Sequence, residues 1–266
     1  MKFIAFVSAK GGTGRTTLAA NLGVILARAG HRVLILDCDP QNALGTYLGM
    51  PPGLRVGIAE GSSSSEIIEY LAAQRGGVPY IPFGARDRDE LQQAERTLAA
   101  DSGWLLRRVL EIVPSSTELV LVDTPAGERV WTEHVLKMAH AIVGVHLPDA
   151  ACFATLPVMA VMLERQCRGS ELTPAVWHVL NQMEPHSELA RDAESLLRQH
   201  LGERLVPCSV PRDPVVGEAW AQQLPVALHS PMTGAVAALR ELSERLLTPL
   251  IDQRHAVTGL QLRGES

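Results

Sequence analysis

The chain has 266 residues and 46% hydrophobic content, enough to bury the core of one large α/β domain. Its formal net charge of −5 argues against broad affinity for nucleic acid. No apolar run approaches the ~18 residues needed to cross a bilayer, and the N-terminus enters a strand without a signal-peptide pattern, so a cytoplasmic location is expected.

Phe3 to Val7 is a short apolar run, and Ser8-Ala9-Lys10-Gly11-Gly12-Thr13-Gly14-Arg15-Thr16-Thr17 separates it from a helical pattern over Leu18 to Ala29. Strand, glycine loop and helix start are the context a phosphate-cradling loop requires. Gly11, Gly12 and Gly14 let several backbone N–H groups converge on one anion, and the helix N-terminus adds unpaired donors and partial positive charge. Thr16 and Thr17 offer one hydroxyl for Mg²⁺ and one for a phosphate oxygen. The loop departs from G-x-x-x-x-G-K-[ST] twice: Ala9 replaces the first Gly, and Arg15 replaces the phosphate-binding Lys. A planar guanidinium is not the compact ammonium that sits between two phosphates, so binding can survive while hydrolysis is put in question.

Val33 to Leu36 reads as a buried parallel strand ending in Asp37-Cys38-Asp39-Pro40-Gln41, where acids at a strand's carboxyl end lie beside a phosphate loop. Leu44 to Gly77 is less regular: Pro51-Pro52-Gly53 breaks the chain, and Gly61 with Ser62 to Ser65 leads into a helix over Glu66 to Gln74. Val78 to Gly84, interrupted by Pro79 and Pro82, suits an edge or half-buried strand. From Arg88 to Val113 the spacing predicts one helix whose stripe of Leu91, Ala94, Leu98, Leu105, Val109 and Ile112 packs into the core. Leu119 to Asp123 is the next buried strand, and Asp123-Thr124-Pro125-Ala126-Gly127 has the form of a Walker B strand with the start of a switch loop.

The alternation then repeats: a helix over Thr132 to His140, a strand over Ala141 to His146, the turn Pro148-Asp149, and a helix over Phe153 to Arg168. A strand over Ala175 to Leu180 ends in Asn181-Gln182, a helix covers Glu188 to His200, and a strand over Leu205 to Val210 reaches Pro211-Arg212-Asp213. The last helix spans Thr233 to Leu247, with Pro249 expected to stop it. Right-handed crossovers then make a mostly parallel, doubly wound α/β sheet with helices on both faces. The domain is expected to cover residues 1–251, leaving 252–266 as a tail without the dense basic face of a membrane-surface helix. Cys38, Cys152, Cys167 and Cys208 show no C-x-x-C spacing and read as buried or incidental thiols. An Asn after a strand, such as Asn181, is by itself usually a turn residue.

The Lys-Gly-Gly-x-Gly-[Lys]-Thr-Thr arrangement resembles the deviant P-loop of the ParA/MinD family of dimeric ATPases, P-loop NTPases of the SIMIBI type, and the likeness runs from Met1 to about Ile251. It implies ATP and Mg²⁺ as cofactors and an ATP-dependent homodimer. By resemblance, Lys10 reaches the partner subunit's nucleotide, and Gly11, Gly12, Thr13, Gly14, Arg15, Thr16 and Thr17 hold the phosphates. Thr16, Asp37 and Asp123 belong to the Mg²⁺ shell, Asp39 orients the attacking water, and Asn181, Pro211 and Asp213 lie where the adenine is held. The absence of Cys between Cys38 and Cys152 speaks against the nitrogenase-reductase branch. The degenerate Walker position, the Pro82-Phe83-Gly84 step and the compact length resemble the BcsQ subfamily, ParA-like proteins of bacterial cellulose-synthase operons. That implies a small operon-encoded partner, the cytoplasmic side of a cellulose synthase complex, and indirect recruitment to the inner membrane. Two alternatives stay open: a non-hydrolysing ATP-bound scaffold, and a DNA-partition ATPase. The second needs a basic face from Arg191, Arg198, Arg204 and Arg212, yet acids at 188, 192, 194 and 203 interleave with them.

Overall fold

The computed structural model describes residues 1–51, 53–59, 62–73, 77–84, 86–167 and 173–259. Expectations placed on Pro52, Gly61, Gln74, Arg168 and residues 260–266 lie outside those residues. In chain order the elements are β1 (Lys2–Val7), α1 (Arg15–Arg28), β2 (Val33–Asp37), α2 (Ala43–Tyr47), α3 (Ser64–Ala73), β3 (Tyr80–Ile81), α4 (Arg88–Ala100), α5 (Trp104–Ile112) and β4 (Leu119–Asp123). There follow α6 (Val130–Met138), β5 (Ala141–His146), α7 (Ala150–Ala154), α8 (Leu156–Cys167), β6 (Ala175–Leu180), α9 (Glu188–Leu201), a 3₁₀ turn at Gly202–Arg204, α10 (Pro214–Ala221), α11 (Val226–His229) and α12 (Gly234–Gly259).

The six strands form one sheet in the order β3-β2-β4-β1-β5-β6, every pairing parallel. Because both faces are covered, the strands are apolar throughout rather than alternating. Ile4 and Phe6 of β1 bury against α1 and the α10–α12 side, while Phe3, Ala5 and Val7 bury against the side built by α3 to α6 and α8. The crossover from β1 runs to β2 on one side and the crossover from its neighbour β4 runs to β5 on the other, so the crevice beyond the carboxyl ends of β1 and β4 is the topological switch point.

Several boundaries differ from the sequence expectation, each for a local reason. The helix expected over Arg88 to Val113 is two helices, because Asp101 leaves the helical region and its carboxylate accepts from Gly103 N–H at 3.1 Å while pairing with Arg107. The stripe survives the break: Ala94, Leu98, Leu105, Val109 and Ile112 are buried and Leu91 packs on their cluster. The helix expected over Phe153 to Arg168 also divides, at Thr155, where Pro157 in the second helix has no N–H to offer the preceding turn. Thr155 Oγ1 turns back to Cys152 O at 3.0 Å. The strand expected over Leu205 to Val210 is reduced to isolated bridges, His178 with Leu205 and Met183 with Pro211. Val206 and Val210 donate to β6 and its end, but Pro207 between them cannot, so no continuous ladder forms. The helix expected over Thr132 to His140 is displaced to Val130–Met138, and His140 instead caps β1, its ring Nδ1 accepting from Phe3 N–H at 3.2 Å. Pro249 does not stop the last helix, which continues to Gly259. Leu246 and Leu250, on either side of it, are both buried in the same core, anchorage that offsets the ~3 kcal/mol a helical proline costs.

Beside β1, the C-terminal halves of β5 and β6 hold a buried histidine pair, His146 Nε2 to His178 Nδ1 at 2.9 Å. Gly144 makes room for it, since a Cβ there would meet His178 Nδ1 at 2.6 Å. Burial lowers His146 to about 4 and His178 to about 3, from an ordinary 6.5. Between pH ~6.5 and ~4 the unfolded chain takes up protons that the folded chain excludes, so this pair withdraws stability as pH falls through that window. His178→Gln, which can still hydrogen-bond but cannot ionise, is therefore expected to lose about 4 °C less in melting temperature than wild type between pH 7.5 and pH 5. Calorimetry at the two pH values tests this, and identical losses in both proteins would acquit the pair.

Candidate functional site

The loop from Ser8 to Gly14 runs from β1 into α1, with Gly12 at φ 76° and Gly14 at φ 92°. Gly14 must lack a side chain on two counts: its backbone is left-handed, and the Asn181 amide packs where a Cβ would stand. Asn181 Nδ2 donates to Thr13 O at 2.8 Å and Gln182 Nε2 to Gly12 O at 3.2 Å. The end of β6 thus holds the loop carbonyls from one side. Among the described residues, no protein group accepts from the backbone N–H of Gly12, Thr13, Gly14, Arg15 or Thr16. Gly12, Gly14, Arg15 and Thr16 border a cavity of about 550 Å³ that Asp39, Gln41 and Ala126 also line. Converging unpaired N–H groups at a helix start are an anion site by construction.

Two cations flank the loop, and both are engaged. Arg15 is 8% exposed. Its Nε donates to Thr124 O at 2.9 Å, and its Nη1 donates to Lys10 O at 3.0 Å and to the Ser8 hydroxyl. Burial lowers the Arg15 guanidinium, which the Asp123 and Asp39 charges partly counter. The residue in the Walker lysine position therefore straps the phosphate loop to the end of β4. Its Nη2 has no protein partner among the described residues, and the side chain lines the same cavity. Lys10 Nζ pairs with Asp149 Oδ2 at 2.8 Å, a hydrogen bond that raises the lysine above its ordinary value. Asp149 also caps α7 by accepting from Cys152 N–H at 2.7 Å.

Opposite the loop lies the acidic group. Parallel register sets Asp37 beside Asp123 at the ends of β2 and β4. Both are fully buried, and Asp39 nearly so. Asp37 Oδ1 accepts from Asp39 N–H at 2.9 Å, and Asp123 Oδ2 accepts from Thr16 Oγ1 at 2.6 Å. Asp37 Oδ2 and Asp123 Oδ1 have no hydrogen-bond partner among the described residues. Burial, then repulsion from Asp123, drives Asp37 well above the usual carboxylate range, and burial lifts Asp123 to about 7. Orphaned carboxylate oxygens beside a threonine hydroxyl are a hard, all-oxygen donor set that suits Mg²⁺.

A second cavity, of about 650 Å³, adjoins the loop on the β6 side and includes Asn181, Pro211, Asp213, Val216, Trp220 and Leu239 in its wall. Asn181 is placed by its backbone N–H on His146 O at 2.8 Å. With one amide proton given to Thr13 O, it retains a carbonyl oxygen and a second N–H for a base edge. Asp213 caps α10 through Val215 N–H at 3.1 Å, and Pro214 follows in the first turn. The structure thus gathers Gly11, Gly12, Gly14, Arg15, Thr16, Thr17 and Asp39 around one cavity, with Asp123 buried behind Thr16 and Asp37 beside it, and Asn181, Pro211 and Asp213 around the neighbouring cavity. Sequence reasoning missed Gln182, Trp220 and the Lys10 partner Asp149. Asp149 lies just past the end of β5, the edge where the crevice rule places functional groups; no sequence pattern marks Trp220.

Comparison with known proteins agrees with this geometry. The family model for cellulose biosynthesis protein BcsQ matches residues 1–247. The chain is 28% identical over 257 residues to the chromosome partitioning protein ParA of Caulobacter vibrioides, covering 93% of this chain and 94% of that protein. It is 28% identical to the chromosome-partitioning ATPase Soj of Thermus thermophilus, covering 92% and 94%. Among solved structures, the cell division ATPase MinD of Pyrococcus furiosus superposes with a TM-score of 0.69 at 25% identity, over 92% of this chain and 98% of that one. Cobyrinic acid a,c-diamide synthase from Mycobacterium smegmatis, solved with ADP and magnesium, superposes with a TM-score of 0.75 at 21% identity, over 93% and 94%.

Proposed function

The chain belongs to the BcsQ family of ParA/MinD-type ATPases, and from that premise we propose that it is an ATP-gated homodimeric switch serving bacterial cellulose synthesis. The observation that carries the nucleotide reading is the pair of orphaned oxygens on Asp37 and Asp123, beside Thr16 and facing a loop of unpaired N–H donors. Relatives with the same fold were solved with ADP and magnesium, and the donor set here has the chemistry to hold the same pair. Bound by Thr16, Asp37 and Asp123, Mg²⁺ would neutralise charge on the phosphate oxygens. Around it, the N–H groups of Gly11 to Thr16 bind phosphate, Asn181 reads the adenine edge, and Asp39, at the cavity wall, orients a water.

Gating falls to Lys10. In the single chain its ammonium rests on Asp149; in the closed dimer it crosses to the partner's phosphates, where it meets more negative charge. A 100-fold preference of ATP for the closed form would bias the equilibrium by ~2.7 kcal/mol. Lys10→Ala is expected to weaken ATP-driven dimerisation at least ten-fold while changing nucleotide affinity of the monomer less than three-fold, estimates scaled to one charge-assisted contact of about 1.5–3 kcal/mol. Sedimentation velocity with MgATP and MgADP beside calorimetric binding tests both halves. Equal losses would place Lys10 in its own subunit's site, and a wild type that stays monomeric with MgATP would end the switch reading.

A scaffold that holds ATP without turning it over is the second reading, and the Arg15 strap favours it. A partition role on DNA is disfavoured: Arg198 pairs with Glu194 at 2.9 Å and Arg212 with Glu184 at 2.5 Å, so two of the four candidate arginines are already neutralised. The partners proposed are a small operon-encoded protein and the cytoplasmic face of a cellulose synthase, with recruitment to the inner membrane through them. No helix among the described residues is long and apolar enough to cross a membrane.

A further inference from the structure

The hydroxyl of Thr17 sits where the two cavities meet, and it lines both. It accepts a hydrogen bond from the indole Nε1–H of Trp220 at 3.0 Å. An indole N–H can only donate, so the Thr17 hydroxyl has to spend its own proton elsewhere. A threonine inside a helix ordinarily donates to the carbonyl four residues back. Here that carbonyl, Thr13 O, accepts from Asn181 Nδ2 at 2.8 Å and not from the Thr17 hydroxyl. Among the described residues no protein acceptor receives the Thr17 proton.

The direction of the indole is itself fixed. Trp220 stacks on Tyr47 with ring centroids 4.1 Å apart and planes 11° from parallel. Tyr47 is fully buried, and its hydroxyl accepts from Asn21 Nδ2 at 3.2 Å and from Val226 N–H at 3.1 Å. A rigid platform therefore holds a donor against one side of the Thr17 oxygen and leaves the proton for the cavity side. A hydroxyl that accepts one hydrogen bond also becomes a better donor of the next.

We propose that Trp220 is a positioning residue that aims the Thr17 hydroxyl proton at a phosphate oxygen of the bound nucleotide. The inference rests on the nucleotide reading of the site and assigns the indole to the phosphate group rather than to the base. It makes Trp220, which stands in the wall of both cavities, specific for phosphorylated ligands rather than for the base.

The test uses the full chain as wild type, Trp220→Phe, Thr17→Val and the double variant. MgADP binding is measured by calorimetry, and adenosine binding by ligand-observed NMR. Phe keeps an aromatic ring against Tyr47 and removes the N–H together with part of the indole, a packing loss that the adenosine measurement reads separately. Trp220→Phe is expected to weaken MgADP about five- to ten-fold, the scale of one hydrogen bond, and to leave adenosine within about two-fold. In the Thr17→Val background the same change is expected to cost nothing further, because the group it orients is gone. Trp220→His, which retains a ring N–H, is expected to recover at least half of the loss, and it carries the comparison should the Phe variant fold poorly. Equal weakening of adenosine would overturn the proposal in favour of a base-packing role, as would a full additional loss in the Thr17→Val background. A wild type that binds no MgADP would instead bring down the nucleotide reading on which it rests.

Discussion

Replacing Asp123 with Asn is expected to raise the melting temperature of the nucleotide-free protein at pH 8 by about 5 °C, and to abolish the further stabilisation that MgATP gives. Burial lifts the Asp123 carboxyl from 3.8 to about 7. Between those values the folded chain keeps a proton that the unfolded chain has lost, so stability falls as pH rises through the window. Above it, a carboxylate with no solvent exposure and an unpartnered Oδ1 sits against Asp37. Asn removes the charge at nearly the same shape, and its carbonyl still accepts from Thr16. The gain should therefore shrink toward pH 5, where the wild-type group is largely protonated. That charge is also what a divalent cation would meet. MgATP at 100 times its Kd stabilises a site by ~2.7 kcal/mol, and the variant should forfeit that increment. Thermal scans at pH 5 and pH 8, with and without MgATP, separate the two effects. A variant less stable than wild type at pH 8 would mean the carboxylate is compensated where it lies, and undiminished stabilisation by MgATP would take Asp123 out of the cation's shell.

Arg15 is the second position where a large effect is expected. Arg15→Ala should cost MgATP binding 100-fold or more, because it strands Thr124 O and Lys10 O and removes a buried cation at the base of the loop. Charge-assisted hydrogen bonds contribute about 1.5–3 kcal/mol each, and three are lost, to Thr124 O, Lys10 O and the Ser8 hydroxyl. Arg15→Lys should behave differently. An ammonium cannot span Thr124 O and Lys10 O in one plane as the guanidinium does, so the strap between the phosphate loop and the end of β4 loosens while the charge stays. We expect Arg15→Lys to keep MgATP affinity within about five-fold and to raise steady-state turnover at least ten-fold, with ATP-dependent dimerisation retained. Phosphate release measured beside sedimentation is the check. Faster turnover would identify Arg15 as the brake of an ATP-holding scaffold. Measurable turnover in wild type, unchanged in Arg15→Lys, would show that Arg15 is a working substitute and that the dimer cycles with it in place.

Much of this site was legible in the sequence because its parts are local and strictly ordered. Glycines at 11, 12 and 14 between an apolar run and a helical period leave few alternatives to a phosphate loop, and Asp37 and Asp123 each end a run of apolar residues that reads as a buried parallel strand. Boundaries were less legible. One apolar stripe over Leu91 to Ile112 fits a single helix as well as two, and only the Asp101 turn and its pairing with Arg107 decide between them. Pro249 misled in the other direction, since a local rule about proline takes no account of the buried leucines on either side of it.

The sequence by itself determined the alternation of strands and helices, the parallel sheet, and the glycine loop with its two threonines, because periodicity and glycine placement act over a few residues. Only the tertiary structure decided how those groups are used. Parallel register across β2 and β4 sets two carboxylates side by side and leaves an oxygen on each unpaired. The fold turns Arg15 onto the carbonyls of Thr124 and Lys10, rests Lys10 on Asp149, and brings Trp220 across 203 residues to the hydroxyl of Thr17. Such contacts depend on where distant strands end in space, and a side chain's partner at that range is chosen by packing rather than by its neighbours in the chain.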